Sequence, residues 1–199
     1  MPRSFSEPEK ACIKERLMRE AEACLALYGV RKTTVDDLVR RAKIPKGTFY
    51  LFYASKEALI LDVILQYNTQ IQEQLIKRVA GMPQTPGPEE LTDLIVGLYQ
   101  SLDGSFLLKL VENGELELLM RNAPPDFRQA NILDDERLTG RLMALFPKAD
   151  AKKSAVFSAA LRGAFLLLLH KDEISRDHFD EVLRLVVHGV VRQMFGGQA

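Results

Sequence analysis

Thr33–Leu59 reads TTVDDLVRRAKIPKGTFYLFYASKEAL, and the way it is punctuated decides the fold. Thr34 is suited to cap a short helix, and Asp37 at its third position stabilises the free amides of that first turn. Val35, Leu38, Val39 and Ala42 supply its inward face. Ile44-Pro45 forces a turn, because the residue before a proline disfavours the helical region, and Pro45 then suits the opening of a third helix. That helix carries Lys46, Gly47, Thr48, Phe49 and Tyr50, and Ser55 caps a fourth. Two short helices joined by such a turn form the unit that lays one helix in the DNA major groove. The residues of the second are small, basic or aromatic with a hydroxyl, which suits phosphates and base edges.

Upstream, Ser6-Glu7-Pro8-Glu9 predicts a helix start with a capping box. The stripe Ile13, Leu17, Ala21, Cys24, Leu25 and Tyr28 carries that helix to Tyr28, and Gly29 is its expected stop. Downstream, the fourth helix runs from Ser55 to about Ala80, followed by the Pro/Gly-rich loop 81–88. Five further helices are expected near 89–103, 105–121, 126–145, 151–171 and 176–195, with Asn113-Gly114 a candidate break in the second. No segment has strand periodicity. The fold class is therefore all-α: an N-terminal three-helix helix-turn-helix domain, 1–54, and a helical body, 55–199.

Charge is distributed in the sense a nucleic-acid partner requires. The chain as a whole is neutral. Residues 1–60 nevertheless hold twelve Lys/Arg against eight Asp/Glu, while 61–199 hold fifteen against nineteen. Positive potential is concentrated where the short helices lie. Apolar residues make up 47% of the chain, enough for a packed core and against disorder. No apolar run reaches the ~18 residues of a membrane span, and the N-terminus lacks the apolar stretch of a signal peptide. Cys12 and Cys24 sit on one predicted helix, ~18 Å apart by helical rise, too far to bridge. Two unpaired thiols fit a reducing cytoplasm.

At this point the residues resemble a family. Gly29, Thr33-Thr34-Val35, Ala42-x-Ile44-x-Lys46-Gly47-Thr48-Phe49-Tyr50 and Phe52-Tyr53-x-Ser55-Lys56-Glu57-x-Leu59 are similar in order and spacing to the TetR/AcrR family of one-component transcriptional regulators. The resemblance implies a homodimer of nine- or ten-helix chains that reads a palindromic operator in double-stranded DNA. Helices one to three would do the reading, and the body would bind a ligand and dimerise. It also implies that Phe49 packs inward, that Tyr50 bonds a phosphate and that Lys56 clamps the DNA backbone.

The residues support this on their own chemistry. Thr34 can present a hydroxyl and helix-terminal amides to a phosphate. Lys46 can reach a guanine edge or a phosphate, and Thr48 a phosphate or a thymine methyl. A glycine at Gly47 costs a helix about 1 kcal/mol, which close approach to DNA would offset. The chain departs from the family where Phe52-Tyr53 reverses the usual order of polar aromatic and phenylalanine. Leu51 and Phe52 would then offer apolar contact to thymine methyls or sugars.

In the body, small and large apolar residues alternate on the later helices. Phe157, Ala160, Gly163, Ala164, Leu167 and Leu168, with Val186, Gly189 and Val190, are the expected dimer face, the resemblance implying four helices across a two-fold axis. Two recognition helices must meet major grooves about 34 Å apart. Phe106, Leu110, Leu116, Met120 and Phe127 are candidate pocket apolars, and Glu112 and Asn113 candidate orienting groups for a small hydrophobic or amphipathic effector. His170 and His178 span a helix connection instead of sharing a face, so no metal site is expected, and no cofactor either. Neither a phosphate loop, a partnered thiol nor a nucleophile elbow is present to suggest an enzyme. The alternative to a ligand-responsive repressor is a protein-partner-binding member of the same fold with DNA as scaffold.

Overall fold

The computed structural model describes residues 5–102, 104–147, 149 and 151–196. Among them every regular element is helical: α1 Glu7–Lys32, α2 Val35–Ala42, α3 Lys46–Phe49, α4 Lys56–Ala80, α5 Pro88–Gln100, α6 Phe106–Glu112, α7 Glu115–Asn122, α8 Pro125–Met143, α9 Ser154–Leu166, α10 Lys171–Ile174 and α11 Phe179–Met194. Two 3₁₀ turns, Ala151–Lys153 and Leu167–His170, flank α9. Two compact units emerge, Met1–Tyr67 with Gly104–Ala123 and Asn68–Asp103 with Pro124–Ala199. The first thus draws on two separated stretches of chain.

In the first unit, α1 starts as its sequence requires. The Ser6 hydroxyl accepts from the Glu9 amide and the Glu9 carboxylate accepts from the Ser6 amide, a capping box. Leu17, Ala21, Cys24 and Leu25 bury one stripe of α1, and Leu38 of α2, Phe49 of α3 and Leu59 and Ile60 of α4 are buried in the same unit. Gly29 breaks α1 as its sequence predicts, and a short restarted turn, Val30–Lys32, follows. Gly29 takes φ 72°, ψ −176°, a conformation open to glycine, and helical geometry resumes through Lys32. The turn after α2 is made by Lys43 at φ 52°, one residue before Ile44-Pro45. Asn113-Gly114 does separate α6 from α7, with Gly114 at φ 67°.

The second unit packs α5, α8, α9 and α11 around Leu91, Ile95, Leu138, Leu142, Leu183 and Val187. A polar group lies within it. The Asp135 carboxylate, on a residue only 8% exposed, accepts from Asn68 Nδ2 at 2.8 Å and Gln72 Nε2 at 2.7 Å. Its other oxygen accepts from Arg162 Nε at 3.0 Å and Nη2 at 2.6 Å. Every lone pair needing a partner has one, which is the condition for burying such a charge. The helix expected over 151–171 is held as α9 between its two 3₁₀ turns, and helical geometry persists to Ile174 before the break.

Candidate nucleic-acid interface

The helix-turn-helix places its residues on two sides. Phe49 is fully buried and Thr48 nearly so. Tyr50 is 52% exposed and Leu51 72%, while Lys46 and Gly47 are exposed and Phe52 half-buried. The Tyr50 ring stands edge-on to Phe49, centroids 5.3 Å apart, so its hydroxyl is carried outward from a fixed base. Burial leaves Thr48 little surface to offer a partner. Tyr53 turns in and donates to Asp62 at 2.8 Å, and burial followed by that carboxylate pushes its phenol far above the usual range. Lys14 pairs with the same Asp62 at 2.9 Å. The reversed Phe-Tyr order therefore places the hydroxyl inside the unit and the phenyl ring of Phe52 toward its surface.

A Cβ built on Gly47 meets nothing within 4 Å. No neighbour inside the chain demands a glycine there.

Three of the expected contacts are already engaged within the protein. The Thr34 hydroxyl donates to Asp37 Oδ2 at 2.6 Å and accepts from the Asp37 amide at 3.1 Å. That hydroxyl bond, more than any other cause, holds the Asp37 carboxyl below its ordinary value. Lys46 Nζ lies 2.9 Å and 3.1 Å from the two oxygens of Asp36, and the bond raises the lysine above its usual range. Lys56 Nζ donates to the carbonyls of Val30 and Thr33, both at 2.9 Å. Around the rim, Arg41 pairs with Glu20 at 3.2 Å and Arg40 with Asp37, while Lys43 is exposed.

Sequence reasoning missed Asp36 as a partner of Lys46 and missed Glu115 entirely. Asp36 had a signal, an acid opposite a base across a tight turn. Glu115 had none, since its partners stand some eighty-five residues earlier.

The expected pocket residues fall in both units. Phe106 and Leu110 are buried, Phe106 packing edge-on to Tyr67 at 4.8 Å. Leu116 and Met120 are half-buried, and Glu112 and Asn113 exposed. Phe127 belongs to the second unit. Of the expected dimer residues, Phe157 and Ala164 are spent on the second unit's own core. Gly163, Val186 and Gly189 are exposed, and Ala160, Leu167, Leu168 and Val190 half-buried. Among the described residues no three His, Cys, Asp or Glu are grouped to hold a metal, and no helix is long and apolar enough to cross a membrane. Both cysteines are free, Cys12 exposed and Cys24 buried.

Comparison with known proteins converges on the same segment. Residues 17–63 match the family model of bacterial regulatory proteins, tetR family. The chain is 31% identical over 106 residues to the uncharacterized HTH-type transcriptional regulator YuxN of Bacillus subtilis, a match covering 52% of this chain and 36% of that one. It spans only about a third of the length of that relative. Solved structures extend the likeness in fold to nearly the whole chain. The TetR family repressor AlkX of Dietzia sp. strain DQ12-45-1b superposes with a TM-score of 0.70 at 14% identity, covering 92% of this chain and 96% of that one. FadR of Thermus thermophilus, a TetR family repressor in complex with lauroyl-CoA, gives 0.61 at 19%, covering 94% and 95%. Residues 17–63 thus match the DNA-binding segment of the tetR family of bacterial regulatory proteins, in an all-helical chain whose fold is similar to solved TetR family repressors.

Proposed function

We propose that the chain is a cytoplasmic, homodimeric repressor that binds a palindromic operator and is released from it by a small hydrophobic or amphipathic effector. The observation that carries this is the outward set on α3 and its C-terminal turn. Lys46, Gly47, Tyr50 and Leu51 are exposed beside a fully buried Phe49. Such a surface, with one glycine that no internal contact requires, suits a backbone laid close against a duplex.

Two further observations support the rest of the reading. Val156 and Leu166 on α9 and Leu185 and Val186 on α11 are large, apolar and exposed, which suits a face covered by a second copy. Among the structures of like fold, one repressor holds lauroyl-CoA and another is implicated in biodegradation of n-alkanes. Both point to long apolar effectors. Release then requires only that the effector prefer a dimer whose recognition helices are off operator spacing, by several kcal/mol for a clean switch.

The test is recovery of sheared genomic DNA on the purified protein at two salt concentrations, followed by sequencing. Enrichment of a palindrome that survives the higher salt is the expected result. Diffuse, salt-labile recovery would mean backbone attraction alone and would favour the partner-binding alternative.

A further inference from the structure

The turn that leads into the helix-turn-helix is held by a carboxylate from a different part of the chain. Once Gly29 breaks α1, the restarted turn Val30–Lys32 has amides with no helical carbonyl to meet. Glu115, the first residue of α7, fills that role. Its Oε2 accepts from the Val30 amide at 2.8 Å and its Oε1 from the Arg31 amide at 3.1 Å. The residue is 7% exposed, and its bond to the Val30 amide is buried. The fit is close, because a Cβ on Gly29 would sit 2.7 Å from Glu115 Oε2. The carbonyl side of the same turn is held too: Thr33 Oγ1 donates to the Gly29 carbonyl at 2.7 Å, and Lys56 bridges the carbonyls of Val30 and Thr33. Immediately beyond stands Thr34, the cap of α2.

We propose that Glu115 is a positioning residue for operator binding, a detached N-terminal cap for the Val30–Lys32 turn that fixes where α2 begins and hence how α3 is presented. This rests on the regulator reading above. A carboxylate can accept from two amides at once; a carboxamide has one acceptor oxygen and would turn its own N–H groups on the second amide. Glu115→Gln thus breaks half of the cap while keeping shape. Gly29→Ala strains the same contact without altering charge, since it adds a Cβ against Oε2 at a φ that favours glycine.

The experiment measures affinity for the wild-type operator and for a scrambled duplex of equal length, alongside thermal unfolding of each variant. Glu115→Gln is expected to bind the operator roughly 3- to 30-fold more weakly. Its affinity for the scrambled duplex should hold or rise, because a negative charge is gone. Gly29→Ala should weaken the operator alone. A cap that served stability only would lower the melting temperature and leave the operator-to-scrambled ratio of the folded protein unchanged, and that result overturns the proposal. Unfolding of both variants would make the cap a folding element and overturn it equally. Wild-type protein that prefers no sequence would instead remove the regulator reading, and this proposal with it.

Discussion

At Gly47 the needs of the chain can be told apart from those of the proposed duplex. A methyl group there has open space, and alanine favours the helix by up to about 1 kcal/mol over glycine. Gly47→Ala should therefore leave the melting temperature unchanged or slightly raised while weakening operator binding about tenfold or more, since the methyl would meet the duplex. Equal operator affinity would place α3 away from DNA. Lys46 poses a different question, because Asp36 holds its ammonium and adds a negative charge to the same surface. Asp36→Asn should raise affinity for scrambled DNA several-fold and narrow the operator preference, with a steeper salt dependence. Titrations at two ionic strengths decide it. Lys46 and Gly47 could be singled out as candidates from the sequence because charge and the absence of a side chain are local properties. The engagement of Thr34 with Asp37 and of Lys56 with two carbonyls was not, since a sequence names donors and acceptors without saying which will meet.

Helices were legible where their ends are chemically marked. Ser6 and Glu9 fix the start of α1, Thr34 the start of α2, and the sequence pattern predicts both caps. Ser6→Ala should cost about 1 kcal/mol, the usual value of an N-cap, read as a lower melting temperature with DNA affinity unchanged at 25 °C. Gly29 breaks α1 where the sequence marks its stop, and only the short turn beyond it was not legible. That turn is stabilised by Glu115 from α7, a contact no local rule contains. The expected helix over 151–171 shows the converse. Its apolar run gives no sign of where 3₁₀ geometry replaces α, as it does at Ala151–Lys153 and Leu167–His170, because tightening of a terminal turn is settled by packing.

At the scale of the molecule, the all-helical class follows from periodicity alone, whereas the gathering of Gly104–Ala123 with the N-terminal segment depends on contacts remote in sequence. The proposed dimer is tested by Val186→Glu. Val186 is 39% exposed, so the charge should be tolerated by the isolated chain, while sedimentation should show monomers and operator affinity should fall by a hundredfold or more as the second half-site is lost. A variant that stays dimeric would move the interface elsewhere. The buried carboxylate of Asp135 bears on the chain's history instead of its operation. Asn68, Gln72 and Arg162 all serve it, so a lone change at Asp135 strands the donors of three side chains and a lone change at Arg162 strands a charge. Descendants of this sequence are accordingly expected to keep the quartet intact or to exchange it in a concerted step, so that these four positions drift together while the apolar residues around them drift one at a time.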